Sequence, residues 1–100
     1  MLIKRDFYIN GRWVAPISPR DAHVIDPSTE EPCAVISLGS AADTDAAVAA
    51  AKAAFPAWAT TPPAERRAAV VRILEQYEAR KEELAHAISI EMGAPIDIDR

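Results

Sequence analysis

The sequence predicts an α+β fragment in which short antiparallel β-hairpins are followed by two α-helices. An Asn-Gly pair between β-forming runs predicts the first hairpin, a Ser-x-x-Asp pattern predicts the start of the first helix, and a long apolar stripe predicts the second helix. The predicted segments are hairpins over residues 1–39, a first helix over 40–60, a long second helix over 61–93 and a truncated tail over 94–100.

The first hairpin is predicted to turn at Asn10 and Gly11, because both central residues of the favoured two-residue turn take positive φ. Tight pairing places Tyr8 opposite Trp13. A second hairpin is predicted from the β-forming runs at residues 23–25 and 33–38. The segment between these runs is rich in Pro, Asp, Ser and Thr, which favour a turn, and Pro32 is expected to open the second run.

The first helix is expected to begin at Ser40, since Ser40 and Asp43 form a capping-box pattern. Val48, Phe55 and Trp58 recur at helical spacing and predict a core-facing side, although an aromatic binding platform is the alternative. Pro56 lacks the N–H that would bond the carbonyl four residues earlier, so the helix should kink or end there.

The second helix is expected to be capped by Thr61, to carry Glu65 at the positive end of its dipole and to stop at Gly93. Large apolar residues recur on one side at three- and four-residue steps. This apolar stripe comprises Val70, Ile73, Leu74, Tyr77, Leu84 and Ile88.

The length of this helix exceeds what so short a chain can enclose. About 30 residues of helix extend roughly 45 Å, whereas a compact domain of about 100 residues has a radius of gyration of about 13 Å. The stripe therefore needs another surface, either a second copy of the chain or more chain than these residues provide.

Composition argues against several classes of function. The net charge of −4 and the pI near 5.1 disfavour a nucleic-acid surface, and the first residues lack the apolar core of a secretory signal. No apolar run is long enough to cross a membrane, and the single cysteine fits a reducing, cytoplasmic compartment.

Candidate catalytic residues are few. His23 lies in a predicted strand and His86 on a polar helix face, so no spacing pairs them with a nucleophile. Cys33 lies in an apolar run without a basic neighbour within four residues, which favours a structural role. Because no glycine-rich phosphate loop is present either, the residues indicate no catalytic or cofactor site.

Five stretches in order resemble the N-terminal segment of the aldehyde dehydrogenase superfamily. They are F-Y-I-N-G-R-W-V at residues 7–14, V-I-D-P-S-T-E-E-P at 24–32, D-A-A-V-A-A-A-K-A-A-F-P-A-W-A at 45–59, A-E-R-R-A-A-V-V-R-I-L at 64–74 and E-M-G-A-P at 91–95. The resemblance implies a longer parent, expected to be a homo-oligomer, that oxidises an aldehyde to an acid through a thiohemiacetal on a cysteine and reduces NAD or NADP.

The resemblance places the nucleophile, the general base and the dinucleotide contacts outside these 100 residues, so this chain alone is expected to be inactive and to bind no cofactor. It also implies one minor site, a monovalent cation held by main-chain oxygens of Val24 and Ile25 and by Glu91. The expected partner is the rest of the parent chain, or a second copy through the long helix. A self-standing helical interaction or dimerisation module without catalysis is the alternative.

Overall fold

The computed structural model describes residues 1–96, which form five strands and two helices. The α+β fold class is confirmed, whereas the predicted end of the tail at residues 97–100 lies outside the described residues. The elements are β1 (Leu2–Lys4), β2 (Phe7–Ile9), β3 (Arg12–Val14), β4 (Asp21–Asp26), β5 (Glu31–Ser37), α1 (Ala41–Ala59) and α2 (Pro63–Met92).

Strands β2 and β3 form the predicted hairpin as a separate two-stranded sheet. Tyr8 pairs with Trp13, and their rings lie 5.1 Å apart between centroids at an interplanar angle of 59°. Asn10 and Gly11 take φ values of 56° and 76°, as the turn requires. The predicted register is therefore confirmed.

The other three strands form a sheet in the order β1-β5-β4. Strands β4 and β5 are antiparallel as predicted, but β1 runs parallel to β5, with Leu2 opposite Ala34. Both predicted antiparallel pairings are therefore present, and the parallel edge strand β1 is an additional element that the sequence analysis did not predict. A three-residue edge strand shows no periodicity of its own, and its partner lies far away in sequence.

Proline is accommodated inside β5 rather than at its start. The strand begins at Glu31, and Pro32 pairs with Ile25 beside a register shift between Val24 and Ile25. A bulge tolerates the missing N–H of proline because the regular ladder is interrupted there. The expectation that Pro32 opens the strand is thus wrong by one residue.

The capping box at the start of α1 is confirmed. The backbone N–H of Asp43 donates to Ser40 Oγ at 3.2 Å, and the N–H of Ser40 donates to Asp43 Oδ2 at 3.0 Å. The helix continues past Pro56 to Ala59, so it does not end at the proline, and the predicted alternative of a kink there stays a prediction. Near the C-terminal end of a helix the proline removes only one backbone hydrogen bond, and the Thr60 hydroxyl donates to the Pro56 carbonyl at 3.1 Å.

Helix α2 begins without a side-chain cap. Its N-cap residue is Pro62, and the hydroxyl of Thr61 instead donates to the Ala57 carbonyl of α1 at 2.8 Å. The prediction that Thr61 caps α2 is therefore wrong, because the hydroxyl bonds to the end of the preceding helix. The predicted stop is confirmed, since Gly93 takes φ 78° and its N–H donates to the Ser89 carbonyl at 2.9 Å.

The described part of the chain has almost no core. Val35 and Ala85 are its buried apolar residues, at 4% and 1% exposure. The radius of gyration is 17.1 Å and the longest dimension 49 Å, so the chain is more extended than a compact domain of about 13 Å radius of gyration. The predicted core face of α1 is also exposed, because Val48, Phe55 and Trp58 find no covering surface among the described elements.

Candidate functional site

The candidate site is an uncovered apolar face of α2, which we call the seam. Every seam residue is exposed, from 40% at Ile88 to 67% at Ile73. The seam is formed by Val70, Ile73, Leu74, Tyr77, Leu84 and Ile88. Exposed apolar side chains that lie next to one another along a helix typically mark a contact surface.

The strands of the chain contact α2 near Ala85 and leave the seam exposed. Helix α2 packs against β4, and the side chain it buries is Ala85. Successive helical residues are about 100° apart, so Ala85 lies about 80° round the axis from Tyr77 and about 100° from Leu84. Leu74 lies only about 20° from Ala85 by the same spacing, but three turns earlier along the helix, and the seam residues remain at least 40% exposed, so the sheet does not cover them.

The solvent-accessible surface area of the chain is larger than that of a compact protein of the same mass. A compact protein of 10.8 kDa exposes about 5,500 Å², whereas this chain exposes 7897 Å². The excess of about 2,400 Å² is about three times the 800 Å² or so that each partner contributes to a standard interface. The chain thus exposes considerably more surface than a compact protein of the same mass.

The structure brings together the elements that carry the implied cation ligands. Val24 and Ile25 lie at the bulge of β4, and Glu91 lies in the last turn of α2, the helix that packs against β4. The residue directly after α2, Gly93, lies close to the turn that follows β4. A Cβ added to Gly93 would be 3.0 Å from Cγ of Pro27 in that turn. Within residues 1–96 no group of His, Cys, Asp and Glu side chains could hold a metal ion, so a cation would depend on main-chain oxygens.

The candidate nucleophile, Cys33, does not hydrogen bond to either candidate base, His23 or His86. The Cys33 thiol donates to the Val24 carbonyl at 3.4 Å, which agrees with a structural role. His23 lies in β4 and His86 in α2, and among the described residues neither hydrogen bonds to a hydroxyl or thiol. Among the described residues, neither histidine is therefore paired with a nucleophile.

Two carboxylates with a lowered pKa, those of Asp43 and Asp21, each have a partner distant in the sequence that sequence reasoning missed, whereas the Ser40 contact of Asp43 was predicted as a capping box. Backbone N–H groups of Ser40 and then Ile17 lower the pKa of the buried Asp43 carboxyl, and Asp43 thereby ties the loop before β4 to the start of α1. The hydrogen bonds from Arg5 lower the pKa of Asp21, with both guanidinium–carboxylate distances at 3.0 Å. The contacts of Arg5 with Asp21 and of Ile17 with Asp43 had no local sequence signal, because the residues in each pair are 16 or more positions apart.

A groove between the hairpin turn and α1 has a volume of about 480 Å³ and a largely apolar lining. It is lined by Tyr8, Ile9, Asn10 and Gly11 on one side and by Ala47, Ala50, Ala51 and Ala54 on the other. These residues include no His, Cys, Asp, Glu or Lys. In the described residues, neither helix has the length and hydropathy needed to cross a membrane.

Comparison with known proteins agrees with the sequence resemblance. The model of the aldehyde dehydrogenase family matches residues 13–100. A 3-succinoylsemialdehyde-pyridine dehydrogenase of a Pseudomonas species is 42% identical over 92 residues, which are 92% of this chain and 19% of that protein.

Solved structures give the same result. The aldehyde dehydrogenase of Bartonella henselae is 61% identical with a TM-score of 0.96, over 99% of this chain and 21% of its own. Aldehyde dehydrogenase C of Pseudomonas syringae, solved with NAD+ and octanal, is 53% identical with a TM-score of 0.94, over 96% of this chain and 20% of its own. The chain thus spans about a fifth of the length of these relatives, and it belongs to the aldehyde dehydrogenase family.

Proposed function

We propose that this chain is the N-terminal segment of an enzyme that oxidises an aldehyde to a carboxylic acid with NAD. Its own task is to brace the remainder of that enzyme. The observation that carries the proposal is the uncovered seam of α2 in a chain that matches only a fifth of its relatives. A segment that exposes so much apolar surface is built to pack against a larger body.

NAD is the cofactor proposed for the complete enzyme, because two similar structures are described as complexes with NAD. When bound, the cofactor accepts a hydride from the substrate. The described residues offer no glycine-rich phosphate loop, and neither histidine is paired with a nucleophile, so this chain contributes structure to the reaction. We propose that the 100-residue chain alone is inactive and binds no dinucleotide.

A monovalent cation near the end of α2 remains a proposal. The main-chain oxygens of Val24 and Ile25 and the carboxylate of Glu91 are hard ligands of the kind such an ion accepts. The packing of α2 on β4 supports a common location for them. In the complete enzyme, Glu91→Gln should weaken any stabilisation by added sodium or potassium, whereas Glu75→Gln, in the middle of α2, should leave it unchanged.

The location and assembly of the complete enzyme are also proposals. A single cysteine with no disulfide fits the cytoplasm, and exposed apolar surface on both helices fits a homo-oligomer. The alternative function is a self-standing dimerisation module that pairs through the seam. Sedimentation of the 100-residue chain distinguishes the two, since a discrete and stable dimer with a covered seam favours the module.

The direct experiment measures NADH absorbance with a panel of aldehydes. The polypeptide of the complete reading frame that includes these residues should produce NADH, and the 100-residue chain should produce none. Activity of the short chain, or inactivity of the complete one toward every aldehyde in the panel, would contradict the proposed function.

A further inference from the structure

The turn of the first hairpin, Asn10-Gly11, has a chemical reactivity of its own. In an Asn-Gly pair the backbone nitrogen of glycine can attack the side-chain carbonyl carbon of asparagine, and glycine hinders this attack least because it has no Cβ. Both residues are exposed, and nothing lies within 4 Å of the position of a Cβ on Gly11. Among the described residues, no hydrogen bond holds the Asn10 carboxamide. The side chain can therefore rotate toward the main chain.

The folded turn nevertheless keeps the two reacting atoms apart. Asn10 has φ 56°, in the left-handed region, where ψ is about +47°. At this ψ the Gly11 nitrogen and Asn10 Cβ lie on nearly opposite sides of the Cα–C bond of Asn10, because of the chirality of an L-residue. A five-membered ring requires the same two atoms to be eclipsed, at a ψ of about −120°. Ring closure therefore requires the turn to open.

We propose that Asn10-Gly11 is a site of spontaneous deamidation, and that opening of the β2–β3 hairpin sets its rate. In the opened hairpin the Gly11 nitrogen loses its proton and bonds to Asn10 Cγ. The bond from Cγ to the side-chain nitrogen breaks, and this nitrogen takes up a proton and leaves as ammonia. Water then opens the resulting succinimide at either carbonyl, which gives aspartate or β-linked isoaspartate. Because water is the only co-reactant, the reaction proceeds whatever the complete protein catalyses.

The two products differ in their effect on the hairpin. Asp-Gly favours the same two-residue turn as Asn-Gly, so aspartate at position 10 is compatible with the pairing of Tyr8 and Trp13. Isoaspartate adds a methylene group to the main chain of the turn, and the length of the turn fixes the register of a hairpin. The contact between the Tyr8 and Trp13 rings should then be lost. Formation of isoaspartate thus removes the hairpin irreversibly.

The first test measures deamidation in the polypeptide of the complete reading frame. Trypsin releases residues 6–12, in which Asn10 is the only asparagine or glutamine, and mass spectrometry with isoaspartyl methyltransferase labelling measures both products. A synthetic peptide of residues 7–14 gives the rate without a stable hairpin, since an isolated hairpin is marginal in water. The folded protein should react at least about tenfold more slowly than the peptide. Equal rates, or no product at position 10 after the peptide has reacted completely, would overturn the proposal.

Two variants of one residue test whether the hairpin controls the rate. Trp13→Ala removes the ring that packs on Tyr8 and should accelerate deamidation of the complete protein about two- to fivefold. Trp13→Phe is the matched control, because it keeps an aromatic ring opposite Tyr8 and should react at nearly the unmodified rate. Equal rates for the two variants would overturn the proposal.

The last test does not depend on how well the Trp13 variants fold. Amide hydrogen exchange over residues 7–14 is compared between aged protein, separated into its isoaspartate-containing fraction, and freshly purified Asn10→Asp. The isoaspartate fraction should exchange these amides as fast as the synthetic peptide, whereas Asn10→Asp should retain the protection of the unmodified protein. Equal protection in the two would overturn the proposed effect on the hairpin.

Discussion

Replacing Gly93 by alanine tests the junction between α2 and the turn after β4. Gly93 has φ 78°, and an added Cβ would lie 3.0 Å from Cγ and 3.7 Å from Cβ of Pro27. The left-handed conformation costs an L-residue about 1–2 kcal/mol. Pressing a methyl group against a proline ring, which cannot rotate away, adds about 1–3 kcal/mol. We therefore expect Gly93→Ala to destabilise the end of α2 by about 2–5 kcal/mol.

Gly11→Ala is the matched control. Gly11 has nearly the same φ, 76°, but nothing lies within 4 Å of its Cβ position. This variant should show only the conformational cost of about 1–2 kcal/mol. We attribute the difference between the destabilisation by Gly93→Ala and that by Gly11→Ala to the contact with Pro27. Pro27→Ala should remove most of this difference, because only the ordinary 3.7 Å contact is then left.

Amide hydrogen exchange in the complete protein reports the local stability around Gly93 and around Gly11 in one experiment. The N–H of Gly93 donates to the Ser89 carbonyl at 2.9 Å and reports on the last turn of α2. A destabilisation of about 2 kcal/mol accelerates exchange about thirtyfold, and larger values accelerate it further. The reasoning is refuted if Gly93→Ala and Gly11→Ala accelerate exchange equally, each near its own site, or if Pro27→Ala fails to relieve the effect of Gly93→Ala.

Three further predictions concern the cap of α1 and the first hairpin. Ser40→Ala should cost about 1 kcal/mol in chemical unfolding because it removes the acceptor of the Asp43 N–H; an unchanged unfolding midpoint would contradict the capping role. The pKa of Asp43 is lowered in the folded state, so its contribution to stability is present above the ordinary value of 3.8 and is lost as the pH falls through the folded pKa. Asp43→Asn should flatten this acid limb of the stability–pH profile, and an unaltered limb would show that other carboxylates produce it. A double-mutant cycle of Tyr8→Ala and Trp13→Ala should give a coupling free energy of about 0.5–1 kcal/mol for the ring pair, and strict additivity would contradict the packing.

Features with a local cause could be predicted from the sequence. The Asn-Gly turn fixes the pairing of Tyr8 with Trp13, because two residues of positive φ permit only one tight connection. The capping box of α1 and the glycine stop of α2 also depend on residues within one turn of each other. The length of α2 predicted an extended molecule, since a long helix exceeds the diameter of a small domain.

Features with a distant cause could not be predicted. Strand β1 is defined by its parallel pairing with β5, more than 30 residues away along the chain, and Asp43 bonds Ile17 across 26 residues. The hydroxyl of Thr61 bonds to α1 rather than to α2, a choice that periodicity does not reveal. The predicted core face of α1 is not buried by any described element, and Phe55 is 65% exposed, so its role as a core face stays a prediction.

The most direct test of the central claim is oxidation of seam side chains by hydroxyl radicals, measured by mass spectrometry in the 100-residue chain and in the complete polypeptide. Tyr77 and Leu84 are 51% and 47% exposed in the chain described here. If the remainder of the enzyme covers the seam, both residues should be readily oxidised in the short chain and strongly protected in the complete one. Equal oxidation in the two proteins, or full protection already in the short chain, would contradict the claim.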